Sequence, residues 1–391
     1  MRPRSAAAPR EAIRLLALAG LNAGISHRCV EPMLPKLAEE FGVSVSAASI
    51  VMTTYAFAYA ASLLLQGPLG DRYGKLRVVT MGMALAGLAS IGCALAWDLG
   101  SLATLRLVTG AFASASVALG MAYIGDVVPI GERQTTIAHF IAGSMLGQML
   151  GPLVGGAFTD WVGWRLSFGL LGVVFLGVAV ILTLRTSPGW AASRSGPFRP
   201  FDVYRSLWSR TAMRWLFAVG TAETLFFFGA YAFLGAFLKA RFDVSFTTVG
   251  LILAGYGLGG LLYSSTARVL IRALGERGLV AAGGALGGVM FVAVVLVPYV
   301  TLTLPCTIGL GLAFYLLHNT IQLKATEVAP DARGTAVALY ATAWALGQAI
   351  GIAAIGVAVA SFGYAPSIMA CGLAFGALGL WLRSNLHRFR P

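Results

Sequence analysis

The chain has 391 residues, of which 58% are hydrophobic and 11% charged, with 49 glycines and a net charge of +13. That balance is too apolar for a soluble globular domain and places the chain in a bilayer. Its basic residues are spread over many loops instead of clustering on one exposed surface, which argues against nucleic-acid binding.

Crossing a hydrocarbon core takes about 20 apolar residues. Windows of that kind fall at 13–35, 47–68, 77–97, 100–125, 136–158 and 163–184, and again at 211–238, 247–270, 278–297, 301–323, 335–358 and 366–382. The first window is longer than the apolar region of a signal peptide and lacks a small-residue cleavage site, so it reads as a retained helix. The expectation is an all-α integral membrane protein of twelve transmembrane helices in two pseudo-symmetric six-helix bundles. These are residues 1–184 and 211–391, with a cytoplasmic central linker at 185–210.

Twelve spans put both termini on one side, and basic residues decide which side that is. Arg10, Arg14, Arg72, Lys75, Arg77, Arg133, Arg185, Arg272, Lys324 and Arg383, with several neighbours, fall on the termini's side, against Lys36, Arg165, Lys239 and Arg241 on the other. The termini are therefore expected in the cytoplasm, in a bacterial-type inner membrane, with the positive charge serving orientation and contact with anionic lipid. Cys29, Cys93, Cys306 and Cys371 each lie within a span, and no CxxC or Cys/His spacing occurs, so no metal and no cofactor are expected.

An internal repeat underlies the two halves. Leu146-Gly147-Gln148-Met149-Leu150-Gly151-Pro152 returns as Leu346-Gly347-Gln348-Ala349-Ile350-Gly351-Ile352, with Arg133 matched by Arg333. Glycines four apart let helices approach closely and Pro152 removes a backbone donor, so Gly147, Gly151, Pro152, Gly155 and Gly156 read as a helix pivot. The two copies are expected to cross closely at the centre, between the halves. The plainer reading is that small-xxx-small spacing occurs wherever membrane helices pack. Two halves about a midplane site is a recurrent architecture of transporters.

Between spans two and three lies Gly67-Pro68-Leu69-Gly70-Asp71-Arg72-Tyr73-Gly74-Lys75-Leu76-Arg77, a glycine-punctuated turn with one acid among several bases. Asp71 is expected at the start of span three, where a carboxylate meets the positive end of the helix dipole. With Asp126, Arg133, Glu327 and Arg333, the turn reads as a cytoplasmic gate. Its counterpart in the second half carries Gly275 for Gly74 and Arg272 for Asp71.

This turn resembles the G-x-L-a-D-R-x-G-R-K signature of the major facilitator superfamily. Arg106 with Gly110 resembles that family's R-x-x-x-G element, and Gly147-x-x-x-Gly151-Pro152-x-x-Gly155-Gly156 its span-five signature. The last is typical of twelve-helix drug/proton antiporters. The resemblance implies the major facilitator fold, and a monomer exporting small organic molecules by alternating access as protons enter.

A charge in the hydrocarbon region costs at least about 2.5–3.5 kcal/mol, so ionisable residues inside spans are functional candidates. Glu223, near the centre of span seven, is the first choice for proton coupling, against a structural hydrogen-bonded carboxylate. Glu31 is the second, although Arg28 and Glu31 at i,i+3 also have the spacing of a self-neutralising pair. Arg106 resembles a family residue thought to take part in proton transfer, and is almost as readily a packing residue. Antiporters of cationic drugs are expected to carry an acid deep in span one, where this chain has Asn22 and Arg28.

Asn22, Arg28, Tyr55, Tyr123, Gln148, Phe227, Tyr231, Tyr256, His318, Asn319, Gln322, Trp344 and Gln348 form the expected lining of a central cavity. Each taken singly is more readily a packing or interfacial residue. A symporter or uniporter for a sugar or organic acid is the alternative within the same fold. A membrane enzyme is disfavoured because no nucleophile elbow, phosphate loop or metal spacing appears.

Overall fold

The structure is a computed structural model in which residues 7–186, 202–330 and 332–389 are described. Most of the linker expected at 185–210 lies outside the described residues. Among those described, every regular element is helical: α1 (Ala7–Arg28), α2 (Val30–Glu40), α3 (Val45–Ala48), α4 (Ile50–Tyr73), α5 (Lys75–Ala94), α6 (Leu99–Val127), α7 (Ile130–Trp161) and α8 (Trp164–Thr186) come first. They are followed by α9 (Asp202–Trp208), α10 (Thr211–Phe242), α11 (Phe246–Leu296), α12 (Thr303–Glu327), α13 (Arg333–Phe362) and α14 (Tyr364–Asn385).

One departure from the expected spans has a local cause. The first pass extends from α1 through α2, beyond the window at 13–35, and is interrupted at Cys29. Pro32 and Pro35 lack the N–H groups that would reach the carbonyls of Arg28 and Glu31, which loosens the helix there. The spans expected at 247–270 and 278–297 are the two parts of α11, whose 51 residues would form a rod of about 75 Å if straight. Gly275, at φ 59° and ψ 175°, breaks it into two antiparallel arms. Gly259 of the first arm meets Ile308 and Gly311 of α12, while Gly283 of the second meets Ala313 and Leu317; Tyr263, Leu279 and Leu316 close one cluster beside the turn. Counting α11 twice and α1–α2 once gives twelve passes.

Gly74, the counterpart of Gly275, also has positive φ (90°) and turns the chain from α4 into α5. A left-handed residue at this place in both halves is where glycine avoids a Cβ penalty. Helix α4 runs on to Tyr73, so Asp71 sits in its last turn, at the negative end of that helix dipole. This corrects the expectation that Asp71 begins the third span.

The repeated glycines work within each half, not across the centre as expected. A Cβ on Gly147 would overlap the carbonyl oxygen of Leu21, one on Gly155 that of Cys29, and one on Gly151 would come within 2.7 Å of Arg28 Cβ, so α7 lies directly on the first pass. In the second half, Cβ atoms on Gly347 and Gly351 would overlap the carbonyls of Thr221 and Leu225 on α10. The next glycine in each copy faces the other half. Gly156 meets the carbonyl of Phe246 on α11, and Gly356 faces Ser46 and Ser49 beside α4.

Substitution tests that contact. Gly155→Leu is expected to destabilise the detergent-solubilised protein by about 1–3 kcal/mol or to prevent folding. Gly177→Leu, at a position where a Cβ meets nothing within 4 Å, is expected to shift thermal unfolding by no more than about 0.5 kcal/mol.

Candidate functional site

Three side chains from three helices meet in the second half. Glu223 on α10 is fully buried, with Oε1 3.0 Å from His318 Nδ1 on α12 and Oε2 accepting from the Tyr340 hydroxyl on α13 at 3.2 Å. The Tyr340 hydroxyl is also 3.0 Å from His318 Nδ1. The His318 ring stacks on Phe314 and Tyr340, and its side chain is 12% exposed against 0% for Glu223. Histidine is therefore the member of the trio nearer to the open space between the helices. Thr224, one residue on, donates to the Trp344 carbonyl at 2.8 Å and helps to hold α10 on α13.

The first half carries its own buried charges. Arg28 Nη1 pairs with Glu31 Oε1 at 2.9 Å, both side chains being almost fully buried. The Arg28 guanidinium lies 4.8 Å from the ring of Phe228, 4.9 Å from Tyr231 and 5.3 Å from Tyr256, so a first-half cation occupies an aromatic cage of the second half. Arg106 donates to the Ser26 carbonyl and hydroxyl at 2.9 and 3.2 Å and lies 4.0 Å over the Tyr55 ring.

Between α7, the first arm of α11 and α12 lies a cavity of about 520 Å³, walled by Met145, Leu146, Met149, Tyr256, Tyr263, Tyr315 and Asn319, among others. Of the expected lining, Tyr256 and Asn319 border it. Other residues of that list are engaged elsewhere. Asn22 donates to the Leu171 carbonyl at 2.9 Å and ties α1 to α8. Phe227 is buried among Phe228, Tyr231, Phe291, Phe314 and Phe375. The hydroxyl of Tyr231 donates to the Leu253 carbonyl at 2.5 Å, and that of Tyr55 to Ala23 at 3.4 Å. Tyr123 and Gln148 are half-buried, Gln322 is exposed, and Gln348 is buried beside Trp344.

The charges at the terminal-side turns pair in a pattern that the expected gate did not contain. Lys75 at the start of α5 meets Asp126 at the end of α6 at 2.5 Å. At the equivalent place, Glu276 meets Lys324 of α12 at 2.9 Å, with Glu327 at 2.8 Å from the same ammonium, so acid and base are exchanged between the halves. Asp71 is exposed and makes no ion pair among the described residues; the Arg72 guanidinium lies 5.5 Å from the Tyr73 ring, and Arg77 is exposed. Gly70 is the packing member of that turn, since a Cβ there would come within 2.6 Å of Leu119, whereas Gly67 has open space. Arg133 donates to the Val128 carbonyl at 3.3 and 3.2 Å, and the Arg333 side chain lies outside those described.

On the side away from the termini the halves are closed. Asp160 at the end of α7 accepts from the backbone N–H groups of Phe246 and Thr247 at 3.2 and 2.6 Å and from the Thr247 hydroxyl at 2.6 Å. The Ser46 hydroxyl donates to the Gly356 carbonyl at 2.5 Å. Within the first half, Glu40 accepts from Trp164 at 2.6 Å and pairs with Arg165. Burial pushes the Glu40 carboxyl up, but the hydrogen bonds from Trp164 and Arg165 outweigh it and hold the group below its ordinary range.

Comparison with known proteins fits this geometry. The sequence model of the Major Facilitator Superfamily matches residues 16–352. The inner membrane transport protein YnfM of Escherichia coli (strain K12) is 27% identical over 234 residues, covering 59% of this chain and 56% of its own length. The efflux pump radE of Floropilus chiversii is 28% identical over 167 residues, covering 42% of this chain and 31% of its own. The chain thus spans about half or less of these curated relatives. Among solved structures, a bacterial homolog of the human lysosomal transporter Spinster, inward-facing and unoccupied, shares the fold with a TM-score of 0.77 at 17% identity, covering 98% of this chain and 97% of that one.

Asp160→Ala removes three hydrogen bonds between the halves, each worth about 0.5–1.5 kcal/mol. The expected outcome is a larger fraction of molecules open on the far side. It is measured as faster alkylation of a cysteine placed at the buried Val249 position, with the four native cysteines, all buried, as the slow background.

Proposed function

This chain belongs to the major facilitator superfamily, and from that premise we propose that it is a proton-coupled exporter of small organic molecules, working by alternating access with Glu223 as the proton carrier. The observation that carries this reading is the buried Glu223–His318–Tyr340 cluster. An idle carboxylate in the hydrocarbon is expensive, and one bonded to a histidine at the edge of open space has a route for its proton.

Deprotonated, with neutral histidine, the cluster carries one negative charge. A proton on either Glu223 or His318 cancels it. A buried second-half group that changes its charge alters the electrostatic cost of burying that region as the halves rock, which couples proton movement to conformation. Tyr340 bonds both Glu223 and His318 and holds them together in either state.

Alternation itself has a built counterpart in the cross-half links of Asp160 and Ser46, which must break for the far side to open. Arg28 must then leave its cage of Phe228, Tyr231 and Tyr256, exposing Glu31 with it and making Glu31 a second proton site on that side. The terminal-side turns, with Lys75–Asp126 and Glu276–Lys324, then draw together as the opposite gate. Export is supported by the Gly-Pro signature at Gly151-Pro152 and by the relative named an efflux pump. The excess of basic residues in the loops on the termini's side supports cytoplasmic termini, with the closed side outward.

In proteoliposomes screened against organic compounds for substrate-driven proton release, Glu223→Gln is expected to abolish proton movement while substrate still binds, and His318→Ala to slow it at least tenfold. Unchanged coupling in Glu223→Gln removes this residue from the mechanism.

A further inference from the structure

The corner formed by the start of α10 and the end of α14 repeats, in the second half, the corner formed by the start of α1 and the end of α8 in the first. An offset of 200 residues carries one onto the other: Gly147 lies against Leu21 and Gly347 against Thr221, Gly172 against Ile91 and Gly372 against Phe291. In the first-half corner, Glu11 and Arg185 form an ion pair at 3.6 Å. The same offset puts Thr211 in the place of Glu11, Asn385 in that of Arg185 and Arg214 in that of Arg14. The acid is lost, and positive charge remains.

Each of the two neutral residues now holds an arginine. Arg214 donates to the Thr211 hydroxyl at 3.1 Å, and Arg388, in the turn Leu386–Phe389 after α14, donates from Nε to Asn385 Oδ1 at 2.8 Å. The Arg388 guanidinium lies 4.6 Å over the Trp215 ring of α10 and 5.8 Å from that of Trp381 of α14, and these two indoles are 5.7 Å apart. Both arginines are exposed and pair with no carboxylate among the described residues. Residues 203–222 and 332–391 contain neither aspartate nor glutamate.

The surface leading to this corner faces lipid. Leu373 and Leu380 of α14 are 61% and 55% exposed, and Trp381 ends that apolar run where the basic end begins. An indole at such a boundary sits at head-group level. A guanidinium held flat by rings and by one hydrogen bond from Nε keeps its outer nitrogens free, a fork whose spacing matches two phosphate oxygens.

We propose that this corner binds the head group of an anionic phospholipid from the leaflet on the termini's side. The phosphodiester lies on the Arg388 fork with Arg214 beside it, and the acyl chains run along the exposed leucines of α14. The lipid phosphate thus supplies the negative charge that Glu11 supplies in the first half. A zwitterionic head group brings its own ammonium and leaves the excess charge of the corner unchanged. No residue of the Glu223 cluster takes part.

The test is native mass spectrometry of the purified full chain in detergent, titrated with phosphatidylglycerol or with phosphatidylcholine of the same acyl chains. Phosphatidylglycerol is expected to bind about tenfold tighter or more. Arg214→Gln and Arg388→Gln are each expected to weaken it about fivefold, the loss of one base near a lipid surface. Arg14→Gln, at the equivalent place in the first half, is expected to leave it unchanged. Thr211→Glu restores the first-half acid, and is expected to weaken phosphatidylglycerol as much as Arg214→Gln does while keeping thermal stability. Equal affinity for the two lipids on the unsubstituted protein overturns the proposal even if a variant fails to fold. An equal loss in Arg14→Gln, or a preference that survives Thr211→Glu, overturns it as well. Displacement of the lipid by inorganic phosphate assigns the corner to a free anion and also overturns it.

Discussion

A charge cannot be left unanswered in hydrocarbon, and the arrangement of this molecule follows from how each intramembrane charge is answered. Glu223 is met by an imidazole and a phenol from two neighbouring helices, Arg28 by Glu31 and three rings of the opposite half, and Arg106 by one carbonyl, one hydroxyl and the face of Tyr55. These solutions differ in completeness. The first is a closed set within the second half, and the second spans both halves but leaves Arg28 Nε and Glu31 Oε2 without hydrogen-bond partners. The third leaves two guanidinium nitrogens without hydrogen-bond partners and has no carboxylate beside it among the described residues.

Placing these groups takes helices that touch at backbone distance. The contact of Gly147, Gly151 and Gly155 with the first pass brings α7 against the segment that carries Arg28, and Gly347 and Gly351 do the same for α13 against the segment that carries Glu223. One motif, used twice, thus supports a cation site in one half and an acid site in the other. The glycine that ends each copy, Gly156 or Gly356, belongs to the far-side closure. A single helix therefore packs by one glycine face within its own half and by the next glycine against the other half.

The halves are alike in backbone and unlike in charge. The turn glycines Gly74 and Gly275 share positive φ, yet the pairs beside them are reversed, Lys75 to Asp126 in one and Glu276 to Lys324 in the other. Reversal keeps each half internally satisfied. Lys75 and Lys324 were legible as bases in loops, but their roles were not. Lys75 pairs with the end of the following helix and Lys324 with the start of the preceding arm as well as with Glu327 on its own helix, and only folding brings Asp126 and Glu276 to them.

Much was written along the chain: apolar periods long enough to cross a bilayer, the repeat, the turn signature, and Glu223 as an acid where water is absent. These are properties of composition and spacing, and the bilayer enforces them locally, since each span must satisfy its own backbone. What the sequence could not carry was which faces meet. Asn22 and Phe227 look like cavity residues by type but are held in helix packing, Asp71 ends one helix instead of beginning the next, and the Leu-Gly-Gln stripe turns into its own half. His318 and Tyr340 lie about 95 and 117 residues from Glu223, and no local rule ties them to it. Contact across such separations depends on the rotation and tilt of helices packed against several neighbours at once. Tertiary structure alone decides that geometry.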